Sequence, residues 1–321
     1  METRTFGPGF TRAFCQNKLT LGIGFPIEAY DGAVAELTHQ ISRAKAAEQG
    51  GFAVVWCRDI PIYDPEFGDL GQIYDPWVWL GYVAAQTSEI ALGTGSIILP
   101  LRAPADVAKA ACSVDQLSGG RLVFGVASGD RPVEYSVFKK TFDDRGQQFT
   151  ESFDFIRKLS HRPAGWHNRQ LTQAHQLNVV PKSHSGDLPM LVTGNSRQSV
   201  DWIADKADGW LMYPRPVFVQ QATVEDWQTA VQSHGHAWKP FAQSLYIDLT
   251  EDPDSEPTRI HLGFRSGRNP LIEHLHALQD CGVNHVLFNV KFSSRPVDDV
   301  LAELCEFVVP QFPAINPGQE T

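Results

Sequence analysis

Apolar positions along the chain follow two alternating rhythms. Short continuous runs bounded by turn residues alternate with stretches in which apolar side chains return every third or fourth position. The first pattern predicts a strand covered on both faces, and the second a helix with one buried side. A strand is predicted over 19–25 and a helix over 33–49, with Leu37, Ile41, Ala44 and Ala47 on one face and Gly50-Gly51 as the stop. A strand at 52–56, a polar proline-bearing loop at 58–75 and a helix at 76–86 follow. The run 90–99 is interrupted by Gly93 and Gly95, and glycine inside a strand marks a bulge or a close approach to the backbone. Pro104 opens a helix carrying Val107, Ala111, Val114 and Leu117, and a strand at 122–126 completes a βαβ crossover.

The second half repeats the rhythm. Phe149, Phe153, Ile156 and Leu159 mark a helix, and 161–188 has no clear period. That segment reads as an insertion, with 177–181 as a strand of a hairpin. Strands are expected at 189–193, 210–213, 241–249 and 285–290, and helices at 197–207, 217–232, from Asn269-Pro270 to Cys281-Gly282, and at 297–309. The acidic, proline-bearing loop 251–257 is a second insertion, near the seventh strand, and residues 1–18 read as an irregular N-terminal arm. Eight strand-then-helix alternations without a linker predict one domain over 1–321, an α/β fold closed as a (β/α)8 barrel. An open doubly wound sheet is the alternative. It wants a phosphate-binding glycine turn in the first unit, and Gly22-Ile23-Gly24 opens no helix.

Composition narrows the function. A net charge of −10 with no cluster of Lys and Arg argues against a nucleic-acid partner. No apolar run reaches the roughly 18 residues of a membrane helix or forms an N-terminal signal. The five cysteines are scattered without a C-x-x-C pair, which fits free thiols in a reducing compartment, so a cytoplasmic protein is expected.

In a barrel, chemistry sits at the carboxyl ends of the strands. Those positions hold Phe25-Pro26, Cys57-Arg58-Asp59, Gly95-Ser96, Ser128-Gly129-Asp130-Arg131, Thr193-Gly194-Asn195-Ser196, Tyr213, and Asn289 with Lys291. Glycines and small hydroxyls outnumber acids and bases, which suits a large planar or phosphorylated ligand better than hydrolysis. Ser196 is placed to cap the following helix, whose free N–H groups would bind an anion, and Ser199 would add a hydroxyl. Alternatively Ser196 only caps its helix. No metal is expected: a His-x-His after the first strand is missing, and His234, His236, His274 and His276 read as solvated. Gly125-Val-Ala-Ser128-Gly129 has the wrong spacing for a nucleophile elbow, and Arg131-Pro132 is not expected to open a helix.

Gly93-Thr94-Gly95-Ser96-Ile97-Ile98-Leu99-Pro100 with Arg102-Ala103-Pro104, Asp115-Gln116-Leu117-Ser118-Gly119-Gly120-Arg121-Leu122, Gly125-Val126-Ala127-Ser128-Gly129 and Ala207-Asp208-Gly209-Trp210 resemble the bacterial luciferase-like flavin-dependent oxidoreductases. The resemblance runs strongly over 19–159 and intermittently beyond. It implies a barrel, generally a homodimer, that binds reduced FMN or the deazaflavin F420, with a non-proline cis peptide at Gly95-Ser96 beneath the ring system. It implies cofactor contacts at Thr94, Gly95, Ser96, Ser128, Gly129, Asp130, Thr193 and Gly194, and a phosphate cradle at Asn195, Ser196 and Ser199. It implies a monooxygenase using reduced FMN and O2 on a small organic substrate, with a flavin reductase as partner. An F420-dependent dehydrogenase or a non-catalytic flavin binder are the alternatives. Two positions depart from the family: the histidine after the second strand is replaced by Arg58-Asp59-Ile60, and the phosphate-holding arginine after the fourth by Ser128. Arg58 and Asp59 are then the candidate catalytic groups, or else a salt-bridged pair shaping a loop. Arg131 or backbone donors would hold the phosphate.

Overall fold

The computed structural model describes residues 4–165 and 178–316. Eight strands, β1 (Thr20–Phe25), β2 (Val54–Cys57), β3 (Ala91–Thr94), β4 (Leu122–Ala127), β5 (Met190–Thr193), β6 (Gly209–Met212), β7 (Phe241–Leu249) and β8 (His285–Asn289), pair in parallel in chain order. The β7–β8 and β8–β1 pairings close the ring. The outer helices are α1 (Gln40–Gln49), α2 (Pro76–Gln86), α3 (Pro104–Leu117), α4 (Arg145–Ser160), α5 (Val200–Lys206), α6 (Val217–Ser233), α7 (Arg268–Asp280) and α8 (Val297–Glu303). This is the (β/α)8 barrel expected from the alternation. No helix among the described residues is long and apolar enough to cross a membrane.

Side chains alternate across each strand. Outward residues such as Leu21, Ile23, Phe25, Val55, Leu92 and Phe124 form the main core under the helices, where Trp79 of α2 stacks on Phe25 at 4.2 Å. Inward residues Val54, Trp56, Ala91, Val123, Leu191, Leu211 and Ala242 form a second, smaller core with Phe14. The inner face holds one very large side chain, Trp56, and glycine yields to it: a Cβ at Gly93 would lie 2.3 Å from its ring. Trp56 Nε1 donates to His285 Nε2 at 2.9 Å, so His285 Nδ1 carries the proton toward Thr20 Oγ1 at 2.7 Å. Thr20 Oγ1 in turn donates to the Ala13 carbonyl. Trp56 is thereby fixed as a floor between a packed lower barrel and an open upper one.

Several elements depart from expectation. The first helix begins at Gln40, not 33, because buried Glu28 takes the backbone N–H groups of Glu36 (2.7 Å) and Leu37 (3.0 Å). Leu37 and His39 also have positive φ. The N-terminal arm contains a helix, Pro8–Ala13, with Pro at its first turn. Pro132 does open a helix, Pro132–Val137, for the same reason. The helix expected over 197–207 starts only at Val200, since Ser196 and Arg197 have positive φ. The last helix passes at Leu304–Val308 into a wider π turn, and the 3-10 turn Val309–Gln311 follows. Of the hairpin strand at 177–181, Leu177 lies outside the described residues and 178–181 are not strand. The 251–257 segment is a loop as expected, and after it comes a hairpin that was not expected, Thr258–Ile260 with Gly263–Ser266, whose second strand pairs with β7. His274 is not solvated; its ring packs edge-on to Phe264 at 5.0 Å.

Candidate functional site

Above Trp56 the inner face turns small: Gly24, Gly95, Ala127 and Ser244 line a cavity of about 1020 Å³ at the carboxyl ends of the strands. That volume lies at the top of the roughly 300–1,000 Å³ range of ligand pockets, enough for a large ligand.

One side of the ring, from β3 to β5, is knit by hydroxyls and glycines. β3 breaks after Thr94, the Gly95–Ser96 peptide is cis, and the chain resumes strand pairing at Ile97–Ile98. Thr94 Oγ1 donates to the Gly125 carbonyl at 2.7 Å, and a Cβ at Gly125 would sit 2.0 Å from Thr94 O. Ser96 Oγ bonds Thr193 Oγ1, Ser196 Oγ donates to Thr193 O at 2.8 Å, and the Ser128 N–H donates to Ser196 Oγ at 3.2 Å. Gly129 has φ +74, with room for no Cβ against Ile98. These bonds bring Gly95, Ser96, Ser128, Gly129, Asp130, Thr193, Gly194, Asn195 and Ser196 to one cavity wall.

Two expected contacts stand outside that wall. Thr94 is fully buried in the strand break. Ser199, not Ser196, caps α5, its Oγ accepting from Trp202 N at 3.2 Å. Sequence reasoning missed two cations at the wall, Arg145 at the start of α4 and Arg197 beside Ser196. Arg145 rests on the Phe142 ring at 3.6 Å. Arg131 also lines the cavity, over the Phe67 ring at 4.4 Å, ion-paired with Glu134 and with Nη1 buried and unpartnered. Burial pushes the Glu134 carboxyl up to about 7 despite Arg131.

Across the ring, β7, β8, β1 and β2 present a different surface. Arg58 and Asp59 are not paired with each other. Asp59 is buried and accepts from Arg102 Nη2 (2.6 Å), Arg102 Nε (3.0 Å) and the Ile98 N–H (3.1 Å). That is a loop-shaping role. Arg58 instead pairs with Asp69, whose other oxygen accepts from the Tyr246 hydroxyl at 3.0 Å. Burial alone would lower the Arg58 guanidinium, but Asp69 and Tyr246 beside it raise it. Burial likewise works to raise Asp69, and Arg58 outweighs it and holds the carboxyl below the ordinary range. Burial pushes Tyr246 and Tyr30 well up, so both stay protonated donors. Lys291 donates to the carbonyls of Gly32 (2.7 Å), Gly68 (3.0 Å) and Asp69, tying the β1 and β2 loops to β8. The long 58–75 loop thus contributes Asp69 as well as Arg58. Tyr246 was legible only through strand alternation, which places Ala242, Ser244 and Tyr246 on one face of β7.

Comparison with known proteins agrees with this architecture. The profile of the luciferase-like monooxygenases matches residues 20–265. The alkanal monooxygenase alpha chain of Photorhabdus luminescens is 22% identical over 220 residues, covering 67% of this chain and 59% of that protein. The chain therefore spans about three-fifths of that relative's length. Among solved structures, the oxygenating constituent of 3,6-diketocamphane monooxygenase from Pseudomonas putida, in complex with FMN, superposes with a TM-score of 0.69 at 16% identity, over 93% of this chain and 100% of that one. An F420-dependent secondary alcohol dehydrogenase in complex with an F420-acetone adduct gives a TM-score of 0.69 at 16% identity, over 91% and 98%. At such identities these two likenesses speak for the fold. The profile covers most of the chain, and with the barrel, the broken third strand and the glycine- and hydroxyl-lined cavity it establishes that the chain belongs to the luciferase-like monooxygenase family.

Proposed function

We propose that the protein is a flavin-dependent monooxygenase that takes reduced FMN as a co-substrate from a reductase and acts on a small organic molecule in the cytoplasm. The observation that carries this reading is the division of one large cavity into two chemically different sides. The β3–β5 side offers Gly95, Ser96, Ser128, Gly129, Asp130, Thr193 and Gly194 as close-approach and hydrogen-bonding positions. Asn195, Ser196, Arg145 and Arg197 gather where a phosphate needs donors and positive charge. A buried, unpartnered N–H of Arg131 on the same wall also favours an anionic or acceptor-rich ligand. When bound, reduced flavin supplies the electrons that let dioxygen place an oxygen atom on the substrate. The chain's own residues hold the ligand, orient the substrate through Arg58, and exclude water with the loop tied down by Lys291. The five unpaired cysteines suit a reducing compartment.

FMN and riboflavin differ by one phosphate, which isolates the anchor. A charge-assisted hydrogen bond is worth about 1.5–3 kcal/mol. Arg145→Ala with Arg197→Ala should weaken FMN binding by about tenfold or more while leaving riboflavin affinity unchanged. Equal loss for both flavins would place the phosphate elsewhere. Tighter binding of F420 than of FMN would favour the alternative reading, hydride exchange between a deazaflavin and the substrate.

A further inference from the structure

The β7–β8–β1–β2 side of the cavity has more to say about what binds there, granted that the cavity is the two-ligand oxidoreductase site proposed above. Its walls are aromatic: Tyr30, Phe67, Tyr246 and Phe292 line it, with His261 edge-on to Tyr246 at 5.8 Å. Its one hydrogen-bonding fork aimed at the space is Arg58, whose side chain keeps about a quarter of its surface open, 27%. A guanidinium carries five N–H donors, and Asp69 with Tyr246 takes only part of that fork.

We infer that Asp69 sets the charge selectivity of this side: by neutralising Arg58 it makes the fork a receptor for a neutral ligand oxygen, such as a carbonyl, and turns carboxylates away. The charges support this. Arg58, Lys291 and Arg131 (over Phe67) are the cations here; Arg131 is paired with Glu134, and Lys291 spends its donors on backbone carbonyls and lies 3.8 Å from Asp69. Against them stands Asp69, which touches Arg58 directly, while Asp31 and Glu66 are exposed on the cavity rim. A ligand carboxylate on Arg58 would lie beside Asp69, two like charges sharing one guanidinium, which is costly where water is excluded. A neutral acceptor takes the remaining N–H groups without that repulsion. Asp69 is a positioning residue, the aromatic walls including Tyr246 pack on the ligand, and Arg58 donates to its oxygen.

Acetophenone and benzoate share a phenyl ring and differ in the charge at the oxygen end. Both are titrated calorimetrically into the full chain without flavin. Acetophenone should bind tighter than benzoate by about tenfold or more. Asp69→Asn, which keeps the shape and frees the Arg58 charge, should shift that ratio toward benzoate by about tenfold or more. A misfolded variant would lose both ligands, so the ratio separates selectivity from structure. Arg58→Lys, which keeps the charge but not the planar fork, should weaken acetophenone. Benzoate binding as tightly as acetophenone in the unmodified protein, an unchanged ratio in Asp69→Asn, or binding of neither probe would overturn the inference. These titrations contain no flavin, so their failure leaves the flavin reading standing, and failure of the FMN titration is read separately.

Discussion

His285 shows how one side chain sets the floor of the site. It is fully buried, and burial pushes its imidazole from 6.5 down to about 3. Both ring nitrogens are already bonded in the neutral form, one accepting from Trp56 and the other facing Thr20. As pH falls below neutrality the unfolded chain takes up this proton first, so the stabilisation is present above pH 6.5 and is lost as pH falls toward 3. Between about pH 7 and 5 the loss is about 2 kcal/mol. Urea unfolding at the two pH values should show that much more loss for the unmodified protein than for His285→Gln, and an equal loss in both would contradict the role. Single residues were the hardest feature to read from sequence. Asp59 and Asp69 are both loop aspartates near Arg58, and which of them pairs with it depends on where the loop folds back, not on spacing.

At the scale of elements, the β3–β4 unit is the best-specified part of the chain. Gly93 and Gly95 were legible as a bulge or a close approach: the strand breaks at Gly95, and an ideal Cβ at Gly93 would lie 2.3 Å from the Trp56 ring. Gly125→Ala would drive a methyl into the Thr94 carbonyl, 2.0 Å from the ideal Cβ position. The backbone must move, and overpacking of this kind costs about 1–3 kcal/mol or more; a Tm close to that of the unmodified protein would contradict the packing. Ser199→Ala should cost about 0.5–2 kcal/mol through the lost cap of α5, with FMN affinity unchanged; a weakened flavin complex would return Ser199 to the phosphate cradle. Element boundaries failed where side chains competed for backbone groups. Glu28 removes 33–39 from α1, and the positive φ values at Ser196 and Arg197 delay α5. Neither effect leaves a trace in hydrophobic periodicity.

For the whole molecule, eight repeats of strand and helix made the barrel legible, and the lack of a phosphate-binding glycine turn in the first unit set it above an open doubly wound sheet. The site's location followed from the fold, while its second side did not, since Tyr30, Asp69 and Tyr246 come from three separate elements. The outer surface carries an apolar row that would suit the expected homodimer: Val78 and Tyr82, four apart on α2, and Tyr74 just before it are exposed by 71%, 53% and 46%. Val78→Glu should shift a dimer toward monomer in sedimentation experiments, and an unchanged mass distribution would move the interface elsewhere. The most direct test of the whole account is calorimetric titration of the purified protein with reduced FMN, FMN and F420. Saturable micromolar binding of a flavin, strongest for FMNH2 and weakened by loss of Arg145 and Arg197, is the predicted result. No binding of any of the three would contradict it.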